Sequence, residues 1–165
     1  VTLIKAYERA REVDPGFRHI LVIAGRTGWK SEAIYEARDG SPYKDSIIFT
    51  GRLTDRELIQ LYNQADLFVY TSLFEGFGFP PLEAMSCGLP VVCSNSSSIR
   101  EVVGNAGILV TPGDVGGFAR NMMIVKDSQA LKELSQKSLK RSRDFSWKET
   151  AKKTLSAYRQ AAAGK

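Results

Sequence analysis

Between Phe74 and Glu83 the chain reads Phe-Glu-Gly-Phe-Gly-Phe-Pro-Pro-Leu-Glu, with seven residues separating the carboxylates of Glu75 and Glu83. Gly76 and Gly78 let the backbone approach a ligand closely and present bare N–H groups to it. Pro80 and Pro81 suit the first turn of a helix, where a missing N–H would go unpaired in any case. The loop therefore feeds a helix N-terminus, which attracts anions through its free N–H groups and dipole. A carboxylate beside such a site repels phosphate but accepts hydrogen bonds from hydroxyls. A ligand carrying both phosphates and hydroxyls, a nucleotide sugar, reconciles the two.

Other chemistries find less support. His19 is the one histidine and Cys87 and Cys93 the two cysteines, too few for a zinc site or a Ser-His-Asp triad. His19 precedes the apolar run Ile20–Ala24 and reads as a strand entrance rather than a catalyst. The thiols are expected to be free and buried, as in a reducing cytoplasm. Gly76-x-Gly78 lacks the third glycine of a dinucleotide fingerprint, and no G-x-x-x-x-G-K-[ST] occurs. No Asp-x-Asp signals a divalent cation on a diphosphate; backbone amides, a helix N-terminus and cations would have to meet that charge.

These residues need a frame. Short apolar runs alternate with helical patterns, which predicts βαβ units and a parallel sheet with helices on both faces. The expected strands are Ile20–Ala24, Ser46–Thr50, Leu67–Tyr70, Val91–Ser94 and Ile108–Val110, continuous in apolar character as strands covered on both faces are. The expected helices are Leu3–Val13, Ser31–Ala37, Thr54–Asn63, Pro81–Ser86, Val115–Val125, Gln129–Arg143 and Trp147–Ala161. Thr54 and Glu57 form a capping box, and Asn95–Ser98 reads as a polar loop. Open parallel sheets bind ligands beyond the carboxyl ends of their strands. The segments leaving those ends are Gly25–Lys30, Gly51–Leu53, Thr71–Phe79 and Asn95–Ser98.

At 165 residues, with 43% hydrophobic and 25% charged side chains, the chain is expected to form one domain, residues 1–165, with its own core. No apolar run approaches the roughly 20 residues that span a bilayer. The net charge of +5 is uneven: residues 1–125 hold 12 basic and 14 acidic side chains, residues 126–165 hold 11 and 4. Trp147, Ala151, Leu155 and Tyr158 fall on one helical face with lysines turned elsewhere, so a docked helix with a solvated basic face is expected. Contact with an anionic membrane is the lesser reading, and nucleic acid is not expected. A start at Val1, directly in a helical pattern, suggests part of a larger protein.

Glu75-x7-Glu83 followed by Ala84-Met85-Ser86-Cys87-Gly88-Leu89-Pro90-Val91-Val92 resembles the donor half of the retaining glycosyltransferases of family 4, of GT-B architecture. Ile48–Gly51 with Leu58 to Val69 resembles the family's strand, helix and strand ahead of that motif. Glu101–Gly107, Pro112–Asp114 and Phe145-Ser146-Trp147 resemble the family's segments on its C-terminal side. The ordered set covers roughly residues 1–160. By resemblance, Glu75 holds hydroxyls of the transferred sugar and stabilises positive charge at its anomeric carbon, and Glu83 accepts hydrogen bonds from both ribose hydroxyls. Gly76, Phe77 and Gly78 offer N–H groups to sugar and diphosphate, and Phe79 and Leu82 complete the donor-binding run. Arg52 and Leu53 fall where the family sets backbone beside the nucleobase, although Arg52 reads equally well as a surface cation. Gly25-Arg26-Thr27-Gly28-Trp29 resembles a version found in mannosyltransferase-like members, but reads first as a strand-to-helix turn.

The resemblance implies transfer of a hexose from a UDP- or GDP-sugar to an acceptor hydroxyl, with retention and without metal or other cofactor. It also implies a first strand and cationic glycine-rich loop ahead of Val1, and an acceptor-binding N-terminal domain. The 165 residues alone are therefore expected to transfer no sugar. A cytoplasmic enzyme, with peripheral membrane contact by the intact protein, is the implied setting. Arg100 stands where the family often has proline. A non-catalytic nucleotide-sugar-binding or interaction module, and a GT-B sugar-nucleotide epimerase relative, remain open alternatives.

Overall fold

The computed structural model describes residues 1–28 and 31–164. Along the chain run α1 (Thr2–Val13), β1 (Leu21–Ala24), α2 (Glu32–Asp39), β2 (Ile47–Gly51), α3 (Asp55–Gln64), β3 (Phe68–Tyr70), α4 (Phe79–Ser86), β4 (Val91–Ser94), α5 (Ser97–Val103), β5 (Ile108–Val110), α6 (Val115–Met122), α7 (Ser128–Ser142) and α8 (Trp147–Ala163), with 3₁₀ turns at Lys44–Ser46 and Met123–Lys126. Every strand pairing among the described residues is parallel. β1 pairs with β2, and β4 lies between β3 and β5.

The continuous apolar character of β4 has the predicted cause. Val91, Val92, Cys93 and Ser94 are all fully buried. Successive strand residues point to opposite faces, and here both faces are covered. Val92 joins Ile4, Tyr7, Phe118 and Met122, from α1 and α6. Val91 and Cys93 join Tyr62, Met85, Ile99 and Val103, from α3, α4 and α5. Both cysteines are free, and burial pushes the Cys93 thiol well above its ordinary range.

The strand pair and the strand triplet are not hydrogen-bonded to one another. A cavity of about 1010 Å³ runs between β1 and β3, lined along its length by Leu21, Val22, Ile23, Phe68 and Val69, with Leu3 and Tyr7 of α1.

Gly107, at the entry to β5, shows how closely the second core is fitted. A Cβ there would lie 2.8 Å from the backbone oxygen of Val91 and 2.8 Å from Val103 Cγ1. A rotamer change relieves the second contact but not the first. Gly107→Ala should therefore cost about 1–3 kcal/mol by overpacking, read as a lower midpoint in thermal unfolding; an unchanged midpoint would contradict this fit.

Three expectations need correction. Ser97–Val103 is a helix, where the sequence predicts only the loop Asn95–Ser98. Its seven residues are too few for a clear period, and burial of Ile99, Val102 and Val103 holds it. Helix α4 opens at Phe79 rather than Pro81, which moves Glu83 into the second turn. Finally, α8 has the expected extent but is not docked along its length. None of its residues is buried, and Trp147, Leu155 and Tyr158 are exposed. Its apolar stripe meets the rest of the chain at Trp147, which stacks on Phe79 with ring centroids 5.8 Å apart.

Candidate donor-binding site

The strands end in step. Ala24 is level with Gly51, Tyr70 with Cys93, and Ser94 with Val110, so the four loops leaving β1 to β4 form one rim. The polar end of the cavity opens here, lined by Gly25, Arg52, Leu53, Thr71, Ser72, Pro80 and Glu83. The structure thus brings Arg52, Leu53 and Glu83 to one mouth, from separate segments of the chain. The remainder of the cavity lies between β1 and β3 and is mainly apolar, with Arg18, His19, Gln64 and Asp66 also on its lining. The Gly25 N–H donates to the Gly51 carbonyl at 3.0 Å, joining the first two loops. Trp29 and Lys30 of the first loop lie outside the described residues.

Glu75 is half-buried, and its carboxyl group is anchored. Its Oε1 accepts from the Tyr70 hydroxyl at 2.5 Å and from the Ser72 hydroxyl at 2.9 Å. Two strong donors occupy one oxygen and leave Oε2 for a ligand. Burial, and then the bond to Glu75, pushes the Tyr70 phenol upward, so it remains a neutral donor throughout the physiological range.

Glu83 is exposed on α4 and accepts from the Tyr62 hydroxyl at 3.2 Å. Burial and the adjoining Glu83 carboxylate push that phenol upward too. For a tyrosine raised in the folded state, the stabilisation is complete below the ordinary value near 10 and is lost only as pH rises beyond it. Both braces therefore hold at neutral pH.

Between the carboxylates, the N–H groups of Gly76, Phe77, Gly78 and Phe79 donate no hydrogen bond among the described residues. Pro80 and Pro81 contribute no N–H, so the donors of this helix start are concentrated at its first residue and the loop before it. Gly78 has φ 99°, a left-handed conformation that favours glycine, although a Cβ there would make only ordinary contact with Ile99 at 3.6 Å. Gly76 has open space around it; the fold does not require glycine there, whereas close approach of a ligand would. Phe77 and Phe79 lie 4.7 Å apart, and Phe77 meets Phe145 edge-on at 5.9 Å. The Phe145-Ser146-Trp147 turn thus packs behind the Gly76–Phe79 segment. Leu82 is partly buried on α4.

Nothing in the sequence marks Tyr62 and Tyr70 as site residues, since they sit among residues that look like helix and strand; Ser72 lies in the expected rim segment Thr71–Phe79, but only folding turns its hydroxyl onto Glu75. His19 lies at the entry to β1: its backbone carbonyl accepts from the Tyr7 hydroxyl at 2.8 Å, and its Nε2 lies 3.8 Å from Asp66. Among the described residues no cluster of His, Cys, Asp and Glu is arranged to hold a metal ion, and no helix is long and apolar enough to cross a membrane.

Parallel sheets flanked by helices, with a carboxylate-bearing loop at the carboxyl ends of the strands, describe one Rossmann-like half of a GT-B protein. Solved structures agree. Sucrose-phosphate synthase from Thermosynechococcus elongatus superposes with a TM-score of 0.85 at 25% identity, covering 98% of this chain and 43% of that one. Anabaena Alr3699/HepE, solved with UDP-glucose, shares the fold with a TM-score of 0.82 at 23% identity, over 94% of this chain and 44% of its own. Residues 1–126 match the family described as glycosyl transferases group 1, and the chain belongs to that family. O-antigen chain mannosyltransferase B of Escherichia coli is 35% identical over 158 residues, 95% of this chain and 41% of that protein. The serotype-specific mannosyltransferase WbdA, also of Escherichia coli, is 46% identical over 109 residues, 66% of this chain and 13% of its own length. The chain thus spans about two fifths of the first of these relatives and a smaller part of the second.

Proposed function

We propose that this chain is the donor-binding half of a retaining hexosyltransferase that takes a UDP- or GDP-sugar and transfers the sugar to an acceptor hydroxyl, on the cytoplasmic side of the membrane. The observation that carries the reading is the pairing of two tyrosine-braced carboxylates with four N–H groups, unpaired among the described residues, at one rim. Hydroxyl acceptors and phosphate donors stand side by side there, as a nucleotide sugar requires. The mannosyltransferase relatives favour a hexose donor, and the neighbour holding UDP-glucose favours a nucleotide-linked one.

In this reading Glu83 takes the ribose hydroxyls and the Gly76–Phe79 amides take the diphosphate, with no divalent ion needed to bridge it. Glu75 Oε2 faces the sugar. The bond from the anomeric carbon to the diphosphate breaks as the acceptor oxygen bonds on the same face. The acceptor proton passes to the departing phosphate oxygen, and the carboxylate offsets positive charge on the sugar. An acceptor-binding domain elsewhere in the longer polypeptide supplies the second wall of the cleft.

The test is product analysis with the full-length enzyme and labelled UDP-glucose or GDP-mannose. A glycoside of unchanged anomeric configuration, formed with EDTA present, is expected. An epimerised nucleotide sugar would assign the chain to epimerase chemistry. Binding without conversion would leave a nucleotide-sugar-binding module, and both results overturn the proposal.

A further inference from the structure

The loop that carries Glu75 is held from behind by three consecutive serines at the start of α5. The Ser96 hydroxyl donates to the Ser72 carbonyl at 3.2 Å, the Glu75 N–H donates to Ser97 Oγ at 3.0 Å, and the Ser98 hydroxyl donates to the Glu75 carbonyl at 2.9 Å. Both backbone groups of Glu75 are thereby tied to α5, while its side chain is tied to Tyr70 and Ser72.

The arrangement runs against what α5 by itself would favour. Ser96 is the residue that would cap the helix, yet its side chain makes no capping bond; a serine there ordinarily satisfies a free N–H of the first turn. Ser97 has φ +39° and is the only non-glycine at positive φ among the described residues. Such a conformation persists where surrounding contacts over-determine it, and it gathers at functional sites. Here a lost cap and a strained backbone coincide with three bonds to one loop.

We infer that Ser96, Ser97 and Ser98 form a positioning clamp that sets the Glu75 carboxylate against the sugar, so that the start of α5 governs turnover without touching the substrate. The inference rests on the reading of Glu75 given above. Ser97 accepts from the backbone of Glu75 rather than meeting its carboxylate, so the clamp fixes where the arm begins, and Tyr70 and Ser72 fix where it ends. The diphosphate-facing N–H groups begin one residue later, at Gly76, and the ribose-facing Glu83 is carried by α4, so nucleotide affinity should depend little on the clamp.

The test compares Ser97→Gly, Ser98→Ala, Ser98→Thr and Glu75→Gln in the full-length enzyme. Readouts are release of nucleoside diphosphate from UDP-glucose or GDP-mannose, Kd for UDP and GDP, and the thermal midpoint. Ser97→Gly removes the acceptor while relieving the positive φ, so its midpoint should be unchanged or higher. Its kcat should nevertheless fall about ten- to a hundredfold, the scale set by small misplacements of reacting groups. Ser98→Ala should lower kcat with little change in Kd, and Ser98→Thr, which keeps the hydroxyl, should restore most of the loss. A merely structural role would make kcat follow the midpoint and is excluded by loss of turnover in a protein no less stable. Full turnover in Ser97→Gly and Ser98→Ala, with Glu75→Gln impaired, overturns the clamp alone. Full turnover in Glu75→Gln overturns the reading of Glu75 and the clamp with it.

Discussion

Glu75→Gln in the full-length enzyme should lower kcat by about 100–1,000-fold while leaving the dissociation constant of the product nucleoside diphosphate within a few-fold. The substitution keeps the shape of the side chain and one carbonyl oxygen, which can still accept from Tyr70 and Ser72. It removes the negative charge. That charge is of most use when the sugar is most positive, at the transition state, so its loss belongs in kcat rather than in ground-state binding. In the proposed reading the diphosphate, by contrast, meets amides that the mutation does not alter. The size of the effect depends on pre-organisation, and Glu75 has it: two hydroxyl donors on Oε1 and the serines on its backbone leave the arm little freedom. A half-buried loop acid without a catalytic role would give near-wild-type turnover. That result would remove the main support for the catalytic reading.

Glu83→Ala should weaken UDP or GDP binding by at least about tenfold, since each hydrogen bond to a charged acceptor is worth about 1.5–3 kcal/mol and the proposed role gives Glu83 two ribose hydroxyls. The side chain is exposed at the cavity mouth, so its removal should disturb the fold little beyond the Tyr62 hydroxyl it leaves without an acceptor. Tyr62→Phe provides the control. It keeps the ring against Phe68, 5.8 Å away, and frees the carboxylate, so its effect on affinity should be smaller than that of Glu83→Ala. Isothermal titration with both nucleotides separates the cases. Equal affinity in wild type and Glu83→Ala, for every nucleotide that binds the wild type, would count against the ribose assignment.

The sequence alone determined the frame and the two carboxylates. Strand β4 is legible to the residue because it is buried on both faces, which makes its apolar run continuous and bounds it by Pro90 and Asn95. Helix α3 is legible because Thr54 and Glu57 satisfy each other's backbone N–H groups within three residues, a local device that leaves a local mark. Glu75, Glu83, the glycines and the prolines are legible as a candidate site for a similar reason: they lie within ten residues, as a recognisable motif.

Tertiary structure decided what depends on distance in sequence. Ser97 lies 22 residues from Glu75, and Tyr62 lies 21 from Glu83. No period or motif links them, and a serine run that reads as a loop gives no sign of what it will hold. Helix α5 is hidden for a related reason, since seven residues carry too little pattern and its stability comes from burying Ile99 and Val103 against other elements. The reverse holds for α8. Its apolar stripe is legible, but a stripe states only that a face is available to be covered, and folding of these residues buries none of it. Local backbone chemistry can be read along the chain; a hydroxyl aimed at a carboxylate twenty residues away exists only once the sheet has brought their loops to the same rim.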